Sequence, residues 1–293
     1  MTAQVKFVTA VERSTSSVKA VTFASPYVRS DAGSLAGVLM LNPSARFDRL
    51  VPLKAEPSPI GERVREQFGI LRRTLNDRGV QTIVLDAATE STTECLVGDC
   101  AVMLADGAVI MRPSAIERRH DVAAIERALV DLGVPIIGRI VSPGLLDGGD
   151  VAIGGDTAYV GLRRNGSNVH GRRQFEAILR DNGIHTIELA VGDEIMRLRN
   201  VFSFVAADMV VAAPSKVDIV PASALRVIEI PRGEEYAAGI LALGERRVIA
   251  NLRFRTAITI MRKAKIAVDA IDLWEFGKVG VGPFSLALAM KRA

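Results

Sequence analysis

Three times along this 293-residue chain, an amphipathic helical run stops at a glycine and passes at once into a short apolar strand. In ERVREQFGILRRTLNDRGVQTIVLD (62–86), Val64, Phe68, Leu71 and Leu75 recur at helical spacing, Gly79 closes the helix, and QTIVLD reads as a strand. DVAAIERALVDLGVPIIGRIV (121–141) repeats the plan with Gly133, and RRQFEAILRDNGIHTIELA (172–190) repeats it with Gly183. A fourth copy, RTAITIMRKAKIAVDAIDL (255–273), keeps the period and drops the glycine. A plan that recurs this way is a supersecondary unit that buries its apolar face against its neighbours.

Strand-like pairs lie between these helices: CAVMLADGAVIMR (100–112), DVAIGGDTAYVGL (150–162), FVAADMVVAA (204–213) and GILALGERRVIAN (239–251), with GVLMLN (37–42) as a further strand. Ala105-Asp106-Gly107, Gly154-Gly155-Asp156 and Gly244-Glu245 supply turn chemistry for the pairs. The unit is therefore ββαβ, with a helix-poor copy near 196–233. Five such units are expected to close into a five-bladed αβ-propeller of the α/β class. Helices would lie outside, strands inside, and loops would converge on a central channel. No Pro/Gly/Ser-rich linker interrupts the run, so one domain over 1–293 is expected, with repeat-like units from about residue 34.

Charge excludes several roles. Thirty-seven basic against 33 acidic residues give +4, with no dense Lys/Arg run and 5% aromatics, which is not a nucleic-acid footprint. No apolar stretch is long enough to span a bilayer, and the N-terminus lacks a continuous apolar segment, so no membrane association or export is expected. Cys95 and Cys100 are too few for a disulfide framework or a zinc site, which fits a reducing cytoplasm. Neither metal nor cofactor spacing is present: G-x-G at Gly280 and Gly282 has no helix behind it.

Several residues are candidates for chemistry. LLDGGDVAI (145–153) holds Asp147 and Asp150 about two glycines, an arrangement that suits a cation or guanidinium and equally a capped turn. Asp99 stands just before a strand, where a carboxylate needs a partner, and MRPSAIERRHD offers Arg112, Arg118 and Arg119 soon after. The closing GKVGVGPFSLALAMKRA presents Ser285 on a turn, as a nucleophile or as an ordinary strand residue. His120, His170 and His185 all sit in polar, exposed settings.

The repeat plan, LLDGGDVAIGGDTAYVGL, the RPSAIERR segment, LNPSARFDRLVP and the closing EFGKVGVGPFSL together resemble the pentein superfamily of guanidine-modifying enzymes. Dimethylarginine dimethylaminohydrolases and arginine deiminases are the nearest likeness. The resemblance implies the same five-bladed propeller. It also implies a small amino-acid-like ligand as partner, with no cofactor, no nucleic acid and no membrane, and it leaves homo-oligomerisation open.

In that superfamily a cysteine attacks the guanidinium carbon, a histidine shuttles protons and paired acids hold the guanidinium nitrogens. By resemblance, Ser285 stands at the cysteine position and Arg197 at the histidine position, while Gly98 and Asp99 stand where the acids belong. Asp99 and Asp147 remain as catalytic candidates. Asp99, Asp150, Arg118, Arg119, Arg163 and Arg164 are the substrate-binding candidates, the last two just before Asn165, where the superfamily places an arginine. Arginine stays protonated at physiological pH and cannot act as a base. The expectation is a pentein that has lost the usual hydrolysis and keeps a pocket for an amino-acid-like or anionic ligand, since one acid fewer and one arginine more favour negative charge. Two alternatives stand beside it. One is an active hydrolase or amidinotransferase-like enzyme drawing a base from Asp99, Asp147 or His120, with Cys100 as a further nucleophile candidate that strand alternation turns away. The other is a non-enzymatic, ribosome-binding assembly role.

Overall fold

The computed structural model describes residues 7–8, 23–86, 91–164 and 166–293. Its strands and helices follow the ββαβ plan around the chain. The first blade holds β1 (Phe7–Val8), β2 (Leu35–Leu41), α1 (Gly61–Asp77) and β3 (Gln81–Leu85). The second holds β4 (Ala101–Met103), β5 (Ala108–Ile110), α2 (Arg119–Asp131) and β6 (Ile136–Arg139). The third holds β7 (Val151–Gly154), β8 (Thr157–Leu162), α3 (Val169–Asp181) and β9 (His185–Ala190). The fourth, the helix-poor copy, runs β10 (Phe202–Ala206), β11 (Met209–Ala212) and β12 (Arg226–Glu229), with only a 3₁₀ turn, Val220–Ala222, where the helix would be. The fifth holds β13 (Leu241–Gly244), β14 (Arg247–Asn251), α4 (Arg255–Lys263) and β15 (Ala267–Ile271). The short α5 (Trp274–Gly277) and β16 (Leu288–Arg292) follow.

Each blade is a separate small sheet, and five are present among the described residues, as a five-bladed αβ-propeller requires. Inner strands pair antiparallel with their hairpin partner, and the partner pairs parallel with the strand that returns after the helix. The ring closes because β16 lies antiparallel to β2, Leu288 opposite Leu39, and so completes the first blade from the far end of the chain.

The helices bury the faces their periodicity dictates. Val64, Phe68, Leu71 and Leu75 of α1 are buried in one cluster with Val84, Leu286 and Phe276. Each such side chain contributes about 1.5–3 kcal/mol on leaving water. Gly79, Gly133 and Gly183 take the left-handed backbone, φ +75°, +76° and +69°, that ends these helices. In the fourth copy Lys265 adopts φ +65° at the corresponding place, so the motif survives the loss of glycine at some conformational cost.

One consequence of the repeat positions the site. The turn before each inner strand falls at the same end of the channel. The 3₁₀ turns Val97–Asp99, Gly148–Asp150 and Leu198–Asn200 pack against one another in series, and the turn carrying Ser285 joins Val97–Asp99 through a 2.9 Å bond from Gly98 N to Ser285 O. Among the described residues no helix is long and apolar enough to cross a membrane.

Candidate functional site

Because those turns converge, residues nearly a hundred positions apart in sequence meet at one end of the propeller axis. Asp99, Asp147 and Asp150 are buried there with Arg118 and Arg197, and the partly buried Arg163 joins them. Ionised groups held away from water require partners. Arg118 Nη1 donates to Asp99 Oδ2 at 2.9 Å and lies 3.6 Å from Asp147 Oδ1, while its Nη2 donates to the Leu96 carbonyl. Arg197 Nε donates to the same Asp99 Oδ2 at 3.3 Å, its Nη2 lies 3.1 Å from Asp147 Oδ1, and its Nη1 donates to Met196 O. Arg163 Nη2 reaches Asp150 Oδ2 at 3.3 Å and Asp147 Oδ2 at 3.7 Å. Three carboxylates thus face three guanidiniums, and a fourth, the buried Asp121, lies 4.0 Å from Arg118 Nε.

Neutral donors complete the network. Ser114 gives both its N–H and its hydroxyl to Asp147 Oδ2. Ser167 donates its hydroxyl to Asp150 Oδ2 at 2.5 Å and accepts from the Asp147 N–H, and Leu198 N donates to Asp150 Oδ1 at 2.8 Å. The two aspartates of the D-G-G-D motif consequently titrate apart. Burial alone would push Asp147 up, but Arg197, Arg118 and Arg163 hold it below the usual carboxylate range. Asp150 has Arg163 as its nearest cation and Asp147 as a like-charged neighbour, and burial pushes it up to about 6. Arg197 is driven further into its protonated form: burial works against the charge, and Asp147 with Asp99 outweighs it.

Ser285 is buried at the rim of this network, with its Oγ 3.5 Å from Asp99 Oδ1, the long limit for a hydroxyl donor. Asp99 is not a free carboxylate, since its other oxygen carries both Arg118 and Arg197. The backbone is tight here. A Cβ on Gly98 would lie 2.4 Å from Phe284 O, and one on Gly149 would lie 2.5 Å from Asp99 Oδ1, so neither position has room for a side chain in this arrangement. At Gly98, the atoms in the way of a side chain are those of the Phe284-Ser285 backbone.

Other sequence candidates lie elsewhere. Arg119 opens α2, half-buried, and makes no ion pair with a described acid, whereas Arg164 is exposed and pairs with Asp193 at 3.6 Å. Of the adjacent Arg163 and Arg164, only Arg163 turns inward. Asn165 lies outside the described residues. His120 and His170 are exposed on α2 and α3, and His185 is exposed at the start of β9, so none of the three stands in the cluster. Cys100 is buried in the core, its Sγ 3.7 Å from Leu96 O and 3.9 Å from Arg118 Nη2. Burial pushes its thiol up to about 12 despite the neighbouring guanidinium, an environment for an inert cysteine.

Sequence reasoning missed Ser114, Ser167 and the Leu198 N–H as partners of the acids. No motif marked these donors themselves, although the turns that bear the acids share a pattern. G-D-C-A-V-M, G-D-V-A-I-G and R-N-V-F-S-F each place a polar residue in the turn that enters an inner strand, and reading them as equivalent puts Asp99, Asp150 and Asn200 around one axis.

No family profile matches the chain. It is similar to the N(G),N(G)-dimethylarginine dimethylaminohydrolase of Streptomyces coelicolor, 29% identical over 220 residues, 73% of this chain and 81% of that protein. The protein of the same name from Pseudomonas aeruginosa is 26% identical over 223 residues, 76% of this chain and 87% of that one. Among solved structures, a cysteine-to-serine mutant of the P. aeruginosa protein complexed with citrulline superposes with a TM-score of 0.80 at 24% identity, covering 87% of this chain and 99% of that one. An amidinotransferase of the saxitoxin pathway from Microseira wollei gives 0.74 at 13% identity, over 91% of this chain and 97% of that one. These two structural likenesses carry the fold alone.

Proposed function

We propose that this chain, a member of the pentein superfamily and a relative of the dimethylarginine dimethylaminohydrolases, no longer performs guanidine hydrolysis of the Cys/His type and instead holds a small amino-acid-like ligand. One observation carries the reading: the guanidinium of Arg197 rests on Asp99 and Asp147, at 3.3 Å and 3.1 Å. The superfamily pattern puts acids here to hold the guanidinium of a substrate. In this chain an internal guanidinium takes that role, and it comes from the position that would otherwise bear the proton-shuttling histidine.

Proton transfer points the same way. A hydroxyl becomes a nucleophile only when an adjacent group takes its proton. The carboxylate in reach of Ser285 is Asp99, already engaged by Arg118 and by the permanently charged Arg197. Arg197, added by sequence, does not leave the pocket with excess positive charge, because the three acids consume it. A second guanidinium brought by a ligand would therefore meet a cation where it needs an anion. A zwitterionic ligand without a guanidinium escapes that repulsion, and citrulline, seen with the P. aeruginosa protein, is of this class. Unbridged, buried Cys95 and Cys100 suit a cytoplasmic setting.

A second reading rests on the contact between Ser285 Oγ and Asp99 Oδ1. If Asp99 accepts the hydroxyl proton when a ligand loosens Arg197, the chain is an active hydrolase or amidinotransferase-like enzyme. The purified protein is to be incubated with arginine, N-methylated arginines and agmatine, with assay for citrulline or other ureido product, and its melting temperature followed with citrulline and agmatine. Absence of turnover, with a rise in melting temperature for citrulline but not agmatine, is expected. Turnover at an ordinary enzymatic rate overturns the first reading, and its loss in Ser285→Ala would establish the second.

A further inference from the structure

Behind the acid cluster, the propeller axis holds a cavity of about 40 Å³. Gly98, Gly148 and Phe284 line it on the side of the convergent turns, and the inner strands wall it with apolar side chains such as Met103, Ile153 and Leu241. Its charged lining consists of Asp31, Arg199 and Arg292, one carboxylate against two guanidiniums. Arg292, the last residue of β16, is 4% exposed. Its Nη1 donates to Gly33 O at 2.7 Å, but its Nε and Nη2 are buried without a hydrogen-bond partner. Arg199 stacks on Phe284, 5.1 Å from the ring centroid, and lies 3.6 Å from Asp31 Oδ1, while its Nε is likewise buried and unpartnered. Asp31 is committed elsewhere as well, since its Oδ2 accepts from Ile153 N at 2.8 Å.

A buried guanidinium with orphaned N–H donors in an apolar cavity is unfavourable until an acceptor or countercharge arrives. Burial pushes Arg292 down to about 10, and the adjacent Arg199 adds to that effect against Asp31, as expected for a cation with too little countercharge. Charge, donors and volume agree on the occupant. The lining is one positive charge in excess, its two arginines carry three buried guanidinium nitrogens without a partner, and its volume suits one small ion or a few waters. The exposed edges of Asp31 and Arg199, 13% and 15%, give a route in from solvent.

We propose that this axial cavity is a binding site for a small monovalent anion of halide or formate type, held by Arg292 and Arg199. The site is distinct from the acid cluster, from which the glycine turns and Phe284 separate it, and it does not depend on what that cluster binds. Ion occupancy would link the last strand to the Asp31 segment and so lock the closure of the ring.

Bromide is a suitable probe. At constant ionic strength, replacing gluconate by bromide should raise the melting temperature of the wild-type protein along a saturating curve, whereas sulfate, too large and doubly charged, should not reproduce it. Crystals soaked in bromide should show an anomalous peak within hydrogen-bonding distance of Arg292 Nε or Nη2, and Arg292→Met should lose both peak and curve. An equal bromide response in wild type and Arg292→Met, or a cavity holding only water at saturating bromide, overturns the proposal. Should Arg292→Met fail to fold, the anomalous map of the wild-type crystal decides alone. Neither readout uses an arginine-type ligand, so failure here leaves the reading of the acid cluster intact, and the reverse.

Discussion

Ser285 Oγ lies 3.5 Å from Asp99 Oδ1, the one oxygen of that carboxylate that neither Arg118 nor Arg197 takes. The hydroxyl therefore has a carboxylate in reach but not a disengaged one, and converting the serine to a better nucleophile should not by itself create an enzyme. Ser285→Cys is expected to form no citrulline from arginine or methylarginines, because a thiol also needs a group to take its proton. Steady product formation by that variant, measured colorimetrically, would place a working base at Asp99.

Arg197 neutralises two buried acids at once. Arg197→Ala leaves Asp99 and Asp147 each short of a cation, a loss that costs about 3–5 kcal/mol for a buried pair. It also opens a hole shaped by a guanidinium. Millimolar guanidinium chloride should then raise the melting temperature of Arg197→Ala above that in equal sodium chloride and leave the wild type unmoved. A variant that responds no more than the wild type would show that the slot does not select guanidinium.

Stability should depend on pH through the D-G-G-D pair. Asp150 is pushed up to about 6 in the folded chain, above its ordinary value near 4. The folded state then binds that proton more tightly than the unfolded one, so its contribution is complete below about pH 4 and is lost as pH rises toward 6. The interval corresponds to about 3 kcal/mol. Asp147, held below its ordinary value, acts in the opposite sense: its contribution is present above about pH 4 and fades on further acidification. Urea titrations from pH 4 to 7 should show a decline in stability that Asp150→Asn flattens. An unchanged slope in that variant would assign the decline to another group.

The propeller was legible because its signals are local. Val64, Phe68, Leu71 and Leu75 announce a helix face, and Gly79 its end, without reference to the rest of the chain. Even the copy without a helix was visible, as the gap that the Val220–Ala222 turn occupies. The site was legible only in part, for a physical reason. Whether Arg118 or Arg119, or Arg163 or Arg164, turns inward depends on which side chain the local backbone aims at the axis, and adjacent residues look alike in sequence. Burial decided between them: Arg118 and Arg163 meet the acids, while Arg164 pairs with Asp193 at the surface. Charge was illegible for the same reason: the sequence lists Arg197 without its partners, and in the fold Asp99 and Asp147 neutralise it.

Gly98 offers the sharpest test of whether an acid can be placed where the resemblance implies one. A Cβ there would lie 2.4 Å from Phe284 O and 3.2 Å from Ser285 Cα, both backbone atoms, so the turn bearing Ser285 would have to move before any side chain fits. Gly98 N is also bonded to Ser285 O at 2.9 Å, which couples the two turns. Gly98→Ala should cost about 3 kcal/mol, the upper part of the range for overpacking a tight interior. Gly98→Glu should cost at least as much and should not restore binding of arginine or agmatine. Both quantities can be read from chemical denaturation and from thermal shifts with the two ligands. If Gly98→Glu folded with near wild-type stability and gained a melting-temperature response to agmatine, the turn would be adaptable and the guanidinium slot recoverable by one substitution.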